Sequence, residues 1–135
     1  MNTVNALIEY AWPDDFIDGI PPKTSAPAQG KVFRLVDTIP PIESDFRQTR
    51  EENPNRTYNT IEAKRMSFGV SFWADIEELK KKQHKYRKAL GKKKVVSGVL
   101  VPELGFATDP DKISHRTLWK QIGSEPHLHI NVEER

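Results

Sequence analysis

Nine lysine or arginine residues fall between positions 80 and 94, with no Asp or Glu among them: Lys80, Lys81, Lys82, Lys85, Arg87, Lys88, Lys92, Lys93 and Lys94. Like charges this dense repel one another and call for compensation. It can come from solvent and salt, from an acidic patch of the same fold, or from an external anion. The chemistry such a segment offers is phosphate neutralisation, and Lys81, Lys85, Arg87, Lys88, Lys92, Lys93 and Lys94 are the candidate anion-binding residues. A second point is Arg34, flanked at i−2 and i+2 by Val32 and Val36. A guanidinium on an apolar strand face must reach a carboxylate, a carbonyl or a ligand phosphate, because leaving it buried and unpaired is costly. Ser71 and His115 are the residues that would join Arg34 in nucleotide chemistry; Ser114-His115 reads equally as a catalytic pair or a loop cap. His127 and His129 are two apart and share one side of a strand. With His115 they have the residue types of a divalent-metal site. Surface histidines fit the same spacing, so no metal is assigned.

These residues need elements to hold them. Lys31–Val36, bounded by Gly30 and by Pro40-Pro41, reads as a first strand, with Val32, Arg34 and Val36 on one face and Phe33 and Leu35 on the other. Met66–Trp73 reads as a second strand, with Met66, Phe68, Val70 and Phe72 alternating along one face. Ser67, Gly69, Ser71 and Trp73 share the other, and small residues there allow another backbone or a ligand to approach closely. Asp75 then opens a helix over about 75–90, with Glu78 at capping-box spacing and Gly91 as its C-cap. At about 100° per residue, Ile76, Leu79, Gln83, Tyr86 and Leu90 fall within roughly an 80° arc, which puts Tyr86 in the core rather than on a stacking platform. Val95–Val101 is a third strand. Phe106-Ala107, Leu118–Ile122 and His127–Val132 read as the last ones.

The expected architecture is α+β: a mostly antiparallel sheet of about five strands, one main amphipathic helix, and a Pro-rich N-terminal arm. The arm covers residues 1–29, with a helical turn at Ala6–Tyr10 and with Trp12, Phe16, Ile17 and Ile20 as anchors to a body formed by 30–135. Residues 37–65 read as a long polar connection, contacting the body at Phe46, Tyr58 and Ile61, or hiding a short helix around Ile42–Glu52.

The chain has 135 residues and no cysteine, which excludes a disulfide scaffold, a Cys-ligated zinc and a thiol nucleophile. The net charge of +2 conceals a partition. Outside the cationic segment, 12 basic residues face 19 acids, so a +9 block sits on a −7 body. No apolar run approaches about 18 residues, so no membrane span is expected. The first residues lack the basic start and apolar stretch of a signal peptide, so a cytoplasmic protein is expected. There is no Walker loop, Gly-x-Gly-x-x-Gly or His-Glu-x-x-His, which argues against a P-loop nucleotidase and a Rossmann dehydrogenase and calls for no cofactor.

Phe33-Arg34-Leu35-Val36 followed by Pro40, Gly69-Val70-Ser71-Phe72 before the helix, Ser97-Gly98-Val99-Leu100 with Glu103-Leu104-Gly105, and Ser114-His115 before Leu118-Trp119 together resemble small uncharacterised bacterial and prophage-encoded proteins. The resemblance spans residues 31–121 and implies a toxin, antitoxin or immunity-type protein of a mobile element. The order of an Arg-bearing strand, a Ser-bearing strand into a helix and a late Glu also resembles ADP-ribosyltransferase-like folds. That likeness implies an NAD-contacting Arg34, a pocket-shaping Ser71 and a catalytic Glu133 or Glu134. The serine motif and the Glu-x-Glu spacing of that family are incomplete here. The leading expectation is a small accessory protein whose basic helix face binds nucleic acid or an acidic protein surface. The alternative is a nucleotide-acting enzyme using Arg34, Ser71 and His115.

Overall fold

A computed structural model describes residues 8–135. Its strands are β1 (Ala26–Pro27), β2 (Gly30–Val36), β3 (Val70–Trp73), β4 (Lys94–Leu100), β5 (Gly105–Ala107), β6 (His115–Lys120) and β7 (Ile130–Glu133). The helices are α1 (Thr49–Glu52), α2 (Ile61–Ser67), α3 (Ile76–Lys85) and α4 (Arg87–Leu90), with 3-10 turns at Glu43–Phe46, Pro102–Leu104 and Pro126–Leu128. All seven strands form one antiparallel sheet in the order β1-β5-β6-β3-β2-β4-β7. The class is the expected α+β, but with seven strands rather than about five.

Each face of the sheet has its own apolar cluster. Val32 and Val36 of β2 pack with Val70, Phe72, Val96, Leu118, Ile130 and Phe46 on one side. Phe33 joins Trp73, Leu79 and Val95 on the other, with Leu35 and Ile76 against them. The alternation read along β2 is therefore the alternation observed. Helix α3 covers the second face through Leu79, which is fully buried. Asp75 caps it by accepting from the Glu77 amide at 2.9 Å. Glu78 instead pairs with Lys81.

The expected second strand is shorter than its alternation suggested. Met66 and Ser67 end α2, and Phe68 is its C-cap. The strand begins only at Val70. Gly69 permits that switch, since a Cβ there would meet the Thr117 methyl at 2.3 Å. The small residue admits a neighbour of the same fold, not a ligand. The 75–90 helix is interrupted at Tyr86, whose φ/ψ of −110°/39° leaves the helical region, and α4 ends on Gly91 as its C-cap. The strand expected at 118–122 begins earlier, at His115.

His127 lies in a 3-10 turn and His129 caps it, so the two do not share a strand face. The strand follows only at Ile130, after Pro126 has opened the turn. The connection over 37–65 contains the 3-10 turn and α1, inside the 42–52 stretch suspected of hiding a helix, and α2 begins at its end. Phe46 is fully buried there, while Ile61 is 46% exposed. Ile8–Tyr10 are irregular, and the rest of the Ala6–Tyr10 turn lies outside the described residues. Further on, Tyr10 and Trp12 meet Phe106 edge-on, and Phe16 meets Phe68.

One joint of the sheet is narrow. β2 pairs with β4 along seven positions and β3 with β6 along four, but β2 and β3 register only at Phe33↔Trp73. Two well-paired halves meet at a seam, and α1 and the 3-10 turn supply its cover. Among the described residues no helix is long and apolar enough to cross a membrane.

Candidate functional site

The seam is where the structure places Arg34. Its guanidinium is 4% exposed and points among Phe46 and Phe72. Nε donates to the Asp45 carbonyl at 2.9 Å, Nη1 to the Ser71 carbonyl at 2.7 Å, and Nη2 to the Glu52 carboxylate at 3.2 Å. Burial holds its pKa below the usual guanidinium value, with Glu52 pulling the other way. Of the partners foreseen for this arginine, the structure supplies a carboxylate and two carbonyls. The side chain bridges strands whose own ladder has parted.

Ser71 and His115 do come together. Cross-strand pairing of β3 with β6 sets Trp73 opposite His115 and Ser71 opposite Thr117, so Ser71 and His115 are diagonal neighbours. The His115 Nε2 lies 3.1 Å from the Ser71 Oγ, and the Thr49 Oγ1 lies 3.0 Å from the same oxygen. The imidazole stands edge-on to the Trp73 ring, with centroids 4.9 Å apart. Burial lowers the His115 pKa, opposed by Asp111 and helped by Lys82. The neutral ring can accept from Ser71, which can in turn accept from Thr49. The arrangement has the nucleophile–base contact of covalent catalysis, but among the described residues no third group hydrogen-bonds the other ring nitrogen. Ser114 serves as a loop cap: its Oγ accepts from the Asp75 amide at 3.1 Å.

Glu133 and Glu134 do not join this cluster. They sit on or beyond β7, three strands from β3 in the sheet order. That is on the order of 14 Å at the usual strand spacing. Glu134 instead accepts from the Ser97 hydroxyl at 2.6 Å. No group of three or more His, Asp or Glu among the described residues could hold a metal ion. Surface hollows of about 500 and 410 Å³ lie elsewhere, sharing Glu43 and Lys120 in their walls, and neither is lined by Ser71 or His115.

The cationic segment behaves differently. Lys81 pairs with Glu78 at 3.3 Å and Lys93 with Asp37 at 2.9 Å. The other seven of the nine cations have no carboxylate partner among the described residues. Residues 1–7 contain no acid that could serve. All seven are exposed. Lys82 bends its ammonium over the Trp73 ring, 4.8 Å from the centroid. Burial and the nearby Arg56 lower its pKa, against a pull from Glu52. Tyr86 is not core: it is 49% exposed, with the Lys85 ammonium 5.4 Å from its ring. Sequence periodicity missed this because it assumes an unbroken helix. The one available signal was that the apolar stripe is thin and contains Gln83.

Gln83 holds the chain beyond the break. Its side-chain amide donates to the carbonyls of Leu90 and Lys93, at 3.1 and 3.0 Å, tying the end of the helical hairpin back onto α3. Comparison of the chain with protein-family models, with curated proteins and with solved structures finds no match.

Proposed function

We propose that this protein binds nucleic acid through the cationic surface of α3, α4 and the following turn. The observation that carries this reading is that seven of nine clustered cations are exposed and unpaired, although the body bears a net −7. Only Glu78 and Asp37 pair with this segment, while Asp75 caps α3 and Glu52 pairs with Arg34 at the seam. Lys85, Arg87, Lys88, Lys92 and Lys94 supply the main contacts, with Lys81 shared with Glu78 and Lys93 with Asp37. A nucleic acid suits this surface better than an acidic protein, because lysine is depleted from protein–protein interfaces whereas phosphate backbones are bound by lysine and arginine. Little sequence specificity is expected from ammonium groups alone.

The test is binding of labelled generic DNA and RNA followed against salt. Affinity should fall linearly on a log–log plot against salt, with a slope of roughly −0.9 per phosphate contacted on duplex DNA. Reversal of Lys85, Lys88 and Lys92 to Glu should abolish it. No binding at low ionic strength overturns the reading.

A second reading, a nucleotide-acting enzyme, is favoured by the 3.1 Å contact between Ser71 and His115 beside Arg34. It requires the protein to bind NAD or another nucleotide, and Ser71→Ala and His115→Ala to weaken that binding without shifting the urea midpoint. Absence of nucleotide binding by the parent protein rejects it.

A further inference from the structure

We infer that the α3–α4 surface selects single-stranded over double-stranded nucleic acid, with the Tyr86 ring as the stacking platform for an unpaired base. The inference rests on the nucleic-acid reading above and goes beyond it by naming the strandedness of the partner. Three observations support it.

The first is where the ring lies. A continuous helix would have turned Tyr86 toward Leu79 and the sheet; the break at this residue leaves the ring half-exposed among cations instead. The second is that the backbone at the break is held from both sides. The Tyr86 amide donates to the Lys82 carbonyl at 3.0 Å, and its own carbonyl accepts from Ala89 and Leu90 at 3.0 and 2.9 Å. Gln83 anchors the far end of the hairpin. The platform is thus pre-positioned, which lowers the ordering cost of binding. The third is the cations that flank it. The Lys85 ammonium lies over one face of the ring, 5.4 Å from its centroid, so a base would stack on the opposite face, and Arg87 uses one guanidinium nitrogen on the His84 carbonyl at 3.1 Å, leaving its remaining donors for phosphate.

An exposed aromatic set among cations is the arrangement that holds single strands, bases on the ring and phosphates on the ammonium groups. A duplex keeps its base faces sealed in the stack, so it meets only the cations. Nor does this surface present a long recognition helix to a major groove, since α3 stops after ten residues.

The experiment is fluorescence anisotropy of the full chain with one short labelled DNA, as a single strand and as its blunt duplex, at matched low salt. The single strand should bind more tightly. Tyr86→Ala should weaken single-strand binding by about fivefold or more and leave duplex binding unchanged, while Tyr86→Trp should restore it. Because Tyr86 is half-exposed, the variants should keep the parent urea midpoint, which the same samples report. Equal or tighter duplex binding overturns the inference while leaving the nucleic-acid reading intact. So does a Tyr86→Ala variant that still binds the single strand like the parent when Lys85→Glu/Lys88→Glu does not. Failure of both DNA forms and of the same sequence as single-stranded RNA to bind overturns the two together.

Discussion

Replacing Arg34 by Met should bring the protein close to unfolding, and the size of the loss follows from what the guanidinium holds. Two of its bonds go to backbone carbonyls, of Asp45 and Ser71, across a seam with one registered pair. A methionine keeps most of the apolar stem among Phe46 and Phe72 but offers no donor. Each carbonyl left unpaired in the interior costs about 1–3 kcal/mol. Glu52 is 30% exposed and keeps part of its hydration, so its pairing adds less than about 1 kcal/mol. The total is about 2–7 kcal/mol, a range that brackets the roughly 3–5 kcal/mol for removing one partner of a buried pair. A domain of ordinary stability has about 5–15 kcal/mol in all. Arg34→Lys keeps the charge but not the planar fork and should fall between, near 2 kcal/mol. Glu52→Gln should cost under about 1 kcal/mol. Urea denaturation followed by tryptophan fluorescence measures all three. The reasoning is refuted if Arg34→Met stays within about 1 kcal/mol of the parent, or if Glu52→Gln costs as much as Arg34→Met.

Gln83→Ala removes the two bonds that close the helical hairpin. It should cost about 1–2 kcal/mol and speed amide exchange over residues 86–94, and unchanged protection there would contradict the role assigned to Gln83. His115 gives a pH dependence. Its folded pKa lies below the ordinary imidazole value of about 6.5 because it is buried, so the unfolded chain binds the proton more readily. Stability should therefore be full above about pH 6.5 and decline on acidification until the folded pKa is passed. His115→Asn should remove that part of the acid sensitivity, seen as a smaller difference between urea midpoints at about pH 7 and about pH 5.

The parts of this fold that were legible in the sequence are those fixed by local chemistry. The β2 alternation, the Asp75 cap and the Gly91 C-cap each depend on a residue and its near neighbours. The parts that were not legible depend on tertiary partners. Met66 to Phe68 alternate as a strand would, yet Thr60, its Oγ1 accepting from the Ala63 amide, caps a seven-residue helix that runs through Met66 and Ser67. Tyr86 fits the apolar arc, yet the helix breaks there and Gln83 bonds the chain beyond the break. His127 and His129 fit strand spacing, but Pro126 opens a turn between them and β7. The closeness of Ser71 to His115 is a register effect, set by β3 pairing with β6 across 44 positions of chain. Residue types named those two as candidates; only the sheet brought them together.

The open cations pose the sharpest test of function against fold, because the two make different demands on the same side chains. Helix α3 is held to the sheet by Leu79 and Ile76 and is started by Asp75; of the lysines without a carboxylate partner among the described residues, only Lys82, over the Trp73 ring, touches that packing. Their mutual repulsion opposes the compact state. A surface retained only by chance should tolerate neutralisation with no change in anything measured. A surface retained for binding should show a trade. Lys88→Gln/Lys92→Gln should leave the urea midpoint unchanged or slightly raised at low salt, with the difference vanishing as salt screens the charges. The same substitutions should flatten the salt dependence of nucleic-acid affinity by about two phosphate contacts. A fall in stability would show that the lysines serve the fold. Unchanged affinity would show that they face only water. A stability held or improved, with binding lost, separates the two roles and assigns this charge to a partner.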